Sequence, residues 1–574
     1  MPFELDNPLH LSILAVTVTY LLYRARQVRK ISIADVPGPK NSSFLRGNLG
    51  EFLRGEAGEV CRPVHAQNPT ARIDPMNIQF DFKWQSEFGG VVRFAAPLGG
   101  ELLLISDPKA VNHIIQGYTW GKSAEGVARD LFLIGPSITS THGKGAHEDH
   151  KRHRRIMNPA FGLAEAKALV PVFAAAACSP AISETFNLKV SNKWKDLLLE
   201  SGDQSQVFNI PEWASRATLD AIGHAGFDYD FGAMERRDNR LASAYHNLFA
   251  NIFAPPSDKQ LINNAVMSAV MPVRLMSWMF ERMSQSNPQL AHGRTMRETS
   301  REVAREVVAE KSKEILGGQD GRVKDVMSLL VKANSSPQND KSRLSDEELM
   351  AQMLAMFIAG HETTANTISW SLLELSRRPE IQTKLRAEIH KKEGEIAAQR
   401  RQETGFTAED FESLPYLNAV VKECLRYHTV ATRLIKTAFV DDCLPLSEPI
   451  RTTKGVEINE LPVPKGTKAY VSVAAYNRSE ALFGSEPHEF RPERWLEKAE
   501  SGPRKGAANT VYSNLLFEFQ AFLVELIGKF EFSLTPESGK IRRQAAGVML
   551  PTIEGEVEKG VQCPLRVRFA KRDE

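Results

Sequence analysis

The run best suited to catalysis has an acid followed by two hydroxyls, Glu362-Thr363-Thr364. The small residues Ala359 and Gly360 come shortly before it. An acid beside a hydroxyl can pass protons to bound, reduced oxygen. Small residues let a flat ligand approach a helix backbone closely. A glycine inside a helix costs about 1 kcal/mol relative to alanine, so a packing or functional reason is expected. The run predicts a ligand site with Glu362 and Thr363 as relay residues; the alternative is a buried helix crossing another helix at Gly360.

A second pattern pairs opposite charges. Glu423 and Arg426 are three residues apart, so on a helix they share one face and can form a charge-assisted pair. The spacing alone is weak, because Glu298 and Arg301 repeat it. Its place in the chain, after the acid–hydroxyl run and before Arg494, distinguishes it. Such a cluster inside a protein is costly unless it is fully paired.

In this order and spacing, the runs at 359–364, 423–426 and 490–495 resemble the cytochrome P-450 family of haem-thiolate monooxygenases, of the microsomal type and similar to fungal members. The resemblance covers roughly residues 30–574. It implies a mainly α fold with a small β-rich lobe and haem b as cofactor. It also implies insertion of one oxygen atom into an apolar small molecule, for example a secondary metabolite such as a terpenoid. Electrons would come from NADPH through NADPH-cytochrome P-450 reductase.

The resemblance also implies roles for individual residues. Glu362 and Thr363 would relay protons, Ala359 and Gly360 would lie against the cofactor, and Glu423, Arg426 and Arg494 would form a structural triad. The basic run at 150–155 resembles the family helix whose residues, here His150 and Arg154, face the haem propionates. Lys151, Arg152 and Arg155 would then point outward toward an acidic reductase. Lys436 aligns with a further propionate-binding arginine of the family. The alternative for the basic run is a solvated face.

The chain departs from the family where the haem ligand is expected. The family has a Phe-x-x-Gly-x-x-x-Cys-x-Gly loop after the 490–495 run, but here Leu516 is followed directly by Phe517, and no cysteine lies between Trp495 and Cys563. Three explanations stay open: a segment lost from the gene model or by splicing, a haem-less relative that acts as a binding or scaffold protein, or a substitute ligand from Cys443 or Cys563. Neither of those two cysteines has the flanking glycines of the family loop.

Composition excludes several other classes of protein. Lys and Arg number 72 against 70 Asp and Glu, and this balance argues against a nucleic-acid partner. The five cysteines form no CxxC pair, so a zinc site or a disulfide framework is not expected.

Residues 9–23 are uncharged and mostly apolar, with acidic residues before them and basic residues after them. The pattern predicts an uncleaved, single-pass anchor in the endoplasmic reticulum membrane with the bulk of the chain in the cytosol. A cleaved signal peptide and an interfacial helix are the alternatives. Residues 24–40 form a basic, proline-rich hinge, and residues 41–574 form the monooxygenase-like domain.

The predicted elements that would position these residues are few. Residues 91–106 predict two strands interrupted at 97–100. Ser345 and Glu348 form a capping box that opens a helix of about 32 residues, ended before Pro379. Residues 517–530 predict another helix, followed directly by a strand.

Overall fold

The computed structural model describes residues 31–54, 79–141, 146–170, 172–173, 189–235, 239–316, 325–335, 343–400, 405–497 and 515–571. The predicted anchor at 9–23 and residues 24–30 of the predicted hinge lie outside these residues. Among the helices that are described, none is both long enough and apolar enough to cross a membrane.

Helices make up most of the described chain. They are α1 (Leu49–Arg54), α2 (Gln79–Phe88), α3 (Pro108–Gln116), α4 (Ala124–Leu133), α5 (Ala146–Met157), α6 (Leu163–Ala168), α7 (Lys189–Glu200), α8 (Ile210–Phe227), α9 (Arg240–Tyr245), α10 (Leu248–Ile252), α11 (Asp258–Val270), α12 (Val273–Met283), α13 (Pro288–Leu316), α14 (Val326–Ser335), α15 (Asp346–Arg377), α16 (Pro379–Arg400), α17 (Ala408–Glu412), α18 (Pro415–Tyr427), α19 (Val473–Tyr476), α20 (Glu480–Phe483) and α21 (Leu515–Lys529).

The strands form small sheets beside the helices. They are β1 (Val91–Ala96), β2 (Gly100–Ile105), β3 (Trp120–Lys122), β4 (Ser205–Asn209), β5 (Arg433–Ala438), β6 (Asp442–Arg451), β7 (Glu457–Val463), β8 (Lys468–Ser472), β9 (Phe530–Leu534), β10 (Ile541–Ala546), β11 (Val548–Ile553) and β12 (Pro564–Phe569). The largest sheet has the order β1-β2-β8-β5-β3, and three smaller ones pair β10-β11, β4-β12-β9 and β6-β7. The predicted class, mainly α with small sheets, is confirmed.

The long helix α15 begins and ends where the sequence predicts. Ser345 is its N-cap and exchanges both capping-box hydrogen bonds with Glu348. Pro379 begins the next helix, because a proline disfavours continuation of the helix before it. Most of α15 is buried, and α8 packs along it. It is therefore the central rod against which the site is built.

The segment before the first helix is fixed to the largest sheet. The Arg93 amide donates to Pro37 O at 3.0 Å, and Arg93 Nε donates to Val36 O at 3.2 Å. A Cβ added to Gly38 would lie 1.7 Å from Arg93 O, so only glycine fits there. The described end of the predicted hinge thus rests on β1.

Candidate functional site

The middle of α15 opens to solvent on one side. Ala359 is exposed and Thr363 is half-buried, whereas Phe357 and Trp370 on the same helix are 0% and 1% exposed. Thr363 Oγ1 donates to Ala359 O at 2.5 Å, which leaves the oxygen lone pairs of this hydroxyl to accept from the open side. We call the side presenting Ala359 and Thr363 the open face. It offers a small residue and a hydroxyl, as the sequence predicts for a flat ligand.

Gly360 has a packing partner that the sequence does not reveal. A Cβ at Gly360 would lie 2.9 Å from Ile222 Cδ1 of α8. The glycine therefore allows α8 and α15 to approach each other, which is the helix-crossing alternative. That both small residues lie against a cofactor stays a prediction; Ala359 is exposed, whereas Gly360 packs against Ile222 of α8.

Glu362 points away from Thr363. Successive residues of an α-helix are rotated by about 100°, so neighbours face different surroundings. Glu362 is buried, and its Oε1 lies 3.5 Å from Ser215 Oγ of α8. The structure thus brings the two predicted relay residues to the same turn of α15 but to different sides of it. A side-chain rotation of Glu362 is needed before its carboxyl can approach the open face.

Side-chain hydroxyls donate additional hydrogen bonds to backbone carbonyls of α15 in the same turns. Thr364 Oγ1 donates to Gly360 O at 3.0 Å, and Thr367 Oγ1 donates to Thr363 O at 2.8 Å. Thr218 Oγ1 of α8 donates to His361 O at 3.0 Å. Such additional bonds to helix carbonyls bend helices slightly, and here they cluster beside the open face.

A cluster of basic side chains links α5 to the largest sheet. Burial lowers the pKa of His150, and the positive charges of Arg154 and Lys436 lower it further. Burial and the nearby Lys122 lower the pKa of Lys436 in the same way. Lys122 and Lys436 lie directly opposite each other across β3 and β5. We call these four residues the cationic cluster.

The cationic cluster lacks matching negative charge. Lys122 Nζ lies 2.6 Å from Asp130 Oδ2, but within the described ranges no carboxylate pairs with His150, Arg154 or Lys436. Like charges placed opposite each other across two strands destabilise a sheet. The arrangement therefore fits a ligand that brings carboxylates, and Lys122 is a member that the sequence did not indicate.

Arg152 does not point outward as predicted. Its Nη1 donates to Glu348 Oε2 of α15 at 3.2 Å, and its Nη2 contacts the other oxygen of the same carboxylate. Burial alone would raise the pKa of Glu348, but the hydrogen bonds from Arg152 outweigh it and hold that pKa at about 2. The prediction for Arg152 is wrong because the start of α15 supplies a partner that the local charge pattern does not show.

Glu423, Arg426 and Arg494 meet in the interior. Arg426 donates through Nε and Nη2 to the two oxygens of Glu423 at 2.8 and 2.7 Å. Arg494 Nε donates to Glu423 Oε1 at 3.1 Å, and Trp495 Nε1 donates to Oε2 at 2.9 Å. Burial raises the pKa of Glu423, but the charge of Arg426 more than offsets this and the net pKa is lowered. The arginines also donate to backbone carbonyls from Phe483 to Glu489, so the cluster ties α18 to the segment after α20.

None of the described cysteines reaches the open face. Cys424 and Cys563 are buried, and burial raises the pKa of Cys563 to about 12, away from the thiolate form. Cys563 Sγ contacts Ser369 O at 3.9 Å, deep beside α15. Cys443 is exposed on the β6–β7 hairpin, where its thiol contacts Glu460.

Glu518 is a residue near the site that the sequence did not indicate. It lies in the first turn of α21 and is 3% exposed, and Thr364 Oγ1 donates to its Oε2 at 3.2 Å. Its other oxygen has no partner among the described residues. Burial raises the pKa of this carboxyl to about 8. The available signal was a carboxylate between two phenylalanines in a mostly apolar helix.

Comparison with known proteins agrees with the geometry. The sequence profile of the family described as Cytochrome P450 matches residues 69–512 of the chain. The chain belongs to the cytochrome P450 family. Its match to the profile ends shortly before α21, the helix that follows the expected position of the haem-ligand loop.

Individual members of the cytochrome P450 family are similar along nearly the whole chain. Cytochrome P450 monooxygenase claP of Ampulloclitocybe clavipes is 31% identical, covering 95% of this chain and 94% of the relative. Cytochrome P450 monooxygenase 205 of Postia placenta is 28% identical, covering 97% and 96%. Cytochrome P450 monooxygenase claQ of A. clavipes is 30% identical, covering 84% and 87%.

Haem b is the cofactor of the cytochrome P450 family, and the described residues fit it in two respects of three. The open face suits the flat ring, because Ala359 presents little bulk and Thr363 presents a hydroxyl. The cationic cluster suits the two propionates. The third respect, an axial thiolate, is not met by Cys424, Cys443 or Cys563. The donor set within the described chain is thus that of a cytochrome P450 without its iron ligand.

Proposed function

We propose that this cytochrome P450 fold serves the insertion of one oxygen atom into an apolar small molecule, such as a terpenoid or another secondary metabolite. Haem b bound with a thiolate would supply the oxygen activation. The observation that carries the proposal is the open face of α15, with Ala359 exposed and the Thr363 hydroxyl half-buried, in a chain that also has the cationic cluster. The segment from β3 to the turn at 138–140 is proposed to border the substrate, because Ile138 N is held by Gln352 of α15 at 3.0 Å.

The residues of the protein would have separate roles in this reaction. Thr363 Oγ1 would accept a hydrogen bond on the open face and orient what is bound there. Glu362 would collect a proton on the α8 side and turn toward the open face to release it. His150, Arg154 and Lys436 would hold the cofactor carboxylates. Glu423, Arg426 and Arg494 would keep the segment after α20 in place without touching substrate.

The partner and the location belong to the same proposal. We propose that NADPH-cytochrome P-450 reductase supplies the electrons and that residues 9–23 anchor the chain in the endoplasmic reticulum membrane. Deleting residues 9–23 from a tagged chain should move it from the membrane pellet to the supernatant after alkaline extraction. An unchanged distribution would count against the anchor, though not against the oxygenase.

The missing ligand favours a second candidate for the polypeptide as written, a haem-less relative that binds small molecules or a partner protein. The supporting observation is that Cys424 and Cys563 are buried and Cys443 lies on an outer hairpin. This candidate shares the fold and differs only in whether an iron ligand is present.

One experiment separates the two candidates. A family-type loop bearing the haem cysteine is inserted between Leu516 and Phe517, and the matched control carries the same loop with serine in place of that cysteine. Both are compared with the unaltered chain for haem uptake and for reductase-dependent incorporation of labelled O₂ into a panel of apolar compounds. The oxygenase proposal expects incorporation with the cysteine loop alone. Absence of incorporation despite a thiolate spectrum would overturn it.

A further inference from the structure

A cavity of about 430 Å³ lies between α15 and α8, next to the open face. It is enclosed by α8, by α9 and α10, and by the turn of α15 that carries Glu362 and Asn366. Its volume falls within the roughly 300–1,000 Å³ typical of small-molecule sites. Ala359 and Thr363, which form the open face, are not among its lining residues.

The floor of the cavity presents two acceptors, of which one has no donor among the described residues and the other has a long contact. Asn366 is 3% exposed, and its Nδ2 donates to Glu362 O at 2.8 Å while its Oδ1 has no partner among the described residues. Glu362 Oε1 has a contact of 3.5 Å to Ser215 Oγ. It also lies 3.2 Å from His361 Nε2, but without hydrogen-bond geometry. An unpaired buried acceptor is costly, so Asn366 Oδ1 favours a ligand that donates, and the Glu362 carboxylate beside it can accept further hydrogen bonds.

His361 does not fill this need. Its Nδ1 lies 2.9 Å from Phe357 O, an acceptor, so Nδ1 carries a proton. Its Nε2 makes no hydrogen bond to the described residues, Glu362 included. The carboxylate therefore remains available to a donor that enters the cavity.

The formal charge of the lining residues also favours a ligand that donates hydrogen bonds. The lining contains two carboxylates, Glu362 and Glu212, and one guanidinium, that of Arg216. Arg216 pairs with Glu212 at 3.1 Å, which leaves the carboxylate of Glu362 without a matching cation in the lining. A buried carboxylate favours a cationic donor, because charge-assisted hydrogen bonds are about twice as strong as neutral ones.

The remaining walls are partly apolar and partly polar, with Asn209 and Asn247 among the polar lining residues. Leu219, Phe249, Leu550 and Val561 line the cavity beside the polar floor. The site therefore combines an anionic, acceptor-rich end with an apolar body, and it is entered past Ser243 and His246, which are exposed.

We propose that this cavity binds a small amine, with its ammonium group between the Glu362 carboxylate and Asn366 Oδ1 and its apolar part against Phe249 and Leu550. The proposal goes beyond the oxygenase function, since it requires neither haem nor a reductase. Occupancy would hold Glu362 on the α8 side of α15, away from Thr363.

The test uses the full chain purified without added haem, so that an amine cannot bind iron. Calorimetric titration with benzylamine, benzyl alcohol and benzoate compares three ligands of one shape that differ in charge and donors. Saturable binding of benzylamine is expected, with weaker binding of the alcohol and none of benzoate. Equal affinity for all three, or no binding of benzylamine, would overturn the proposal.

Variants locate the site. Glu362→Gln should weaken benzylamine at least tenfold, equivalent to about 1.4 kcal/mol. Glu302→Gln removes a surface carboxylate paired with Arg240 and should leave the affinity unchanged. Ser243→Trp, at the exposed rim, should block entry without disturbing the buried core. If benzylamine binds both Glu362→Gln and Ser243→Trp as it binds the unaltered chain, its site lies elsewhere and the proposal fails, whatever the outcome for haem.

Discussion

Thr364 Oγ1 donates a hydrogen bond to Glu518 Oε2 at 3.2 Å, joining the central rod α15 to the first turn of α21. The contact lies only two residues after the junction of Leu516 and Phe517, where the family loop would enter. Because Phe517 and Glu518 are both buried, α21 packs on α15 in this chain without the loop.

The first prediction concerns the pH dependence of stability through Glu518. Its folded pKa of about 8 lies above the ordinary value of 4.5, so between these values the folded state holds a proton that the unfolded state releases. The free energy of unfolding should therefore fall as pH rises from about 5 to 8, by at most about 1.4 kcal/mol per pH unit. Glu518→Gln keeps an acceptor for Thr364 and should flatten this slope in urea unfolding. Glu531→Gln, a surface control, should leave it unchanged.

Replacing Lys436 should raise the stability of the haem-free chain and lower its affinity for haem. Lys436→Met removes the repulsion from Lys122, so the haem-free chain should gain about 0.2–1 kcal/mol in urea unfolding. The same change removes a partner for a propionate, so haem should bind about tenfold more weakly in an absorbance titration, a loss of about 1.4 kcal/mol. Lys454→Met, at an exposed pair with Asp35, serves as the control. A loss of both stability and haem affinity would contradict a ligand-directed role for the cluster.

The buried triad should be intolerant of partial neutralisation. Glu423→Gln leaves Arg426 and Arg494 as uncompensated buried charges, and the expected loss is about 3–5 kcal/mol of unfolding free energy. Glu480→Gln, on the exposed side of α20, should change stability by less than about 0.5 kcal/mol. Equal effects of the two variants would show that the triad does not stabilise the fold.

Gly360 tests whether α8 or a ligand requires the small residue. Gly360→Ala should be nearly neutral in urea unfolding, because the gain of about 1 kcal/mol in helix propensity opposes the displacement of the Ile222 methyl. Gly360→Leu should destabilise the chain by about 1–3 kcal/mol through overpacking. Ile222→Ala combined with Gly360→Leu should recover part of that loss. Additive losses in the double variant would remove α8 as the reason for the glycine.

Local sequence signals were sufficient for the elements that carry the site. The limits of α15 follow from Ser345, Glu348 and Pro379, since capping and proline effects act within a few residues. The helix α21 and the strand after it could be predicted from the sequence for the same reason. The convergence of Glu423 with Arg494 was implied by the family resemblance, since neither local pattern indicates it.

The parts that sequence did not predict depend on partners distant in the chain. Arg152 was expected in solvent, but Glu348 lies 196 residues away in sequence. Gly360 faces Ile222 and Glu362 faces Ser215, because the rotation of α15 against α8 is a property of the packed helices. Glu518 was missed because a carboxylate in a mostly apolar helix gives no indication of its acceptor or donor.

The absorbance of the reduced, carbon-monoxide-bound form tests the central claim most directly. The chain as written, supplied with haem, should take it up through the open face and the cationic cluster without the long-wavelength Soret band of a thiolate ligand. Inserting the cysteine loop between Leu516 and Phe517 should produce that band, and the serine control should not. A thiolate band from the unaltered chain would contradict the account.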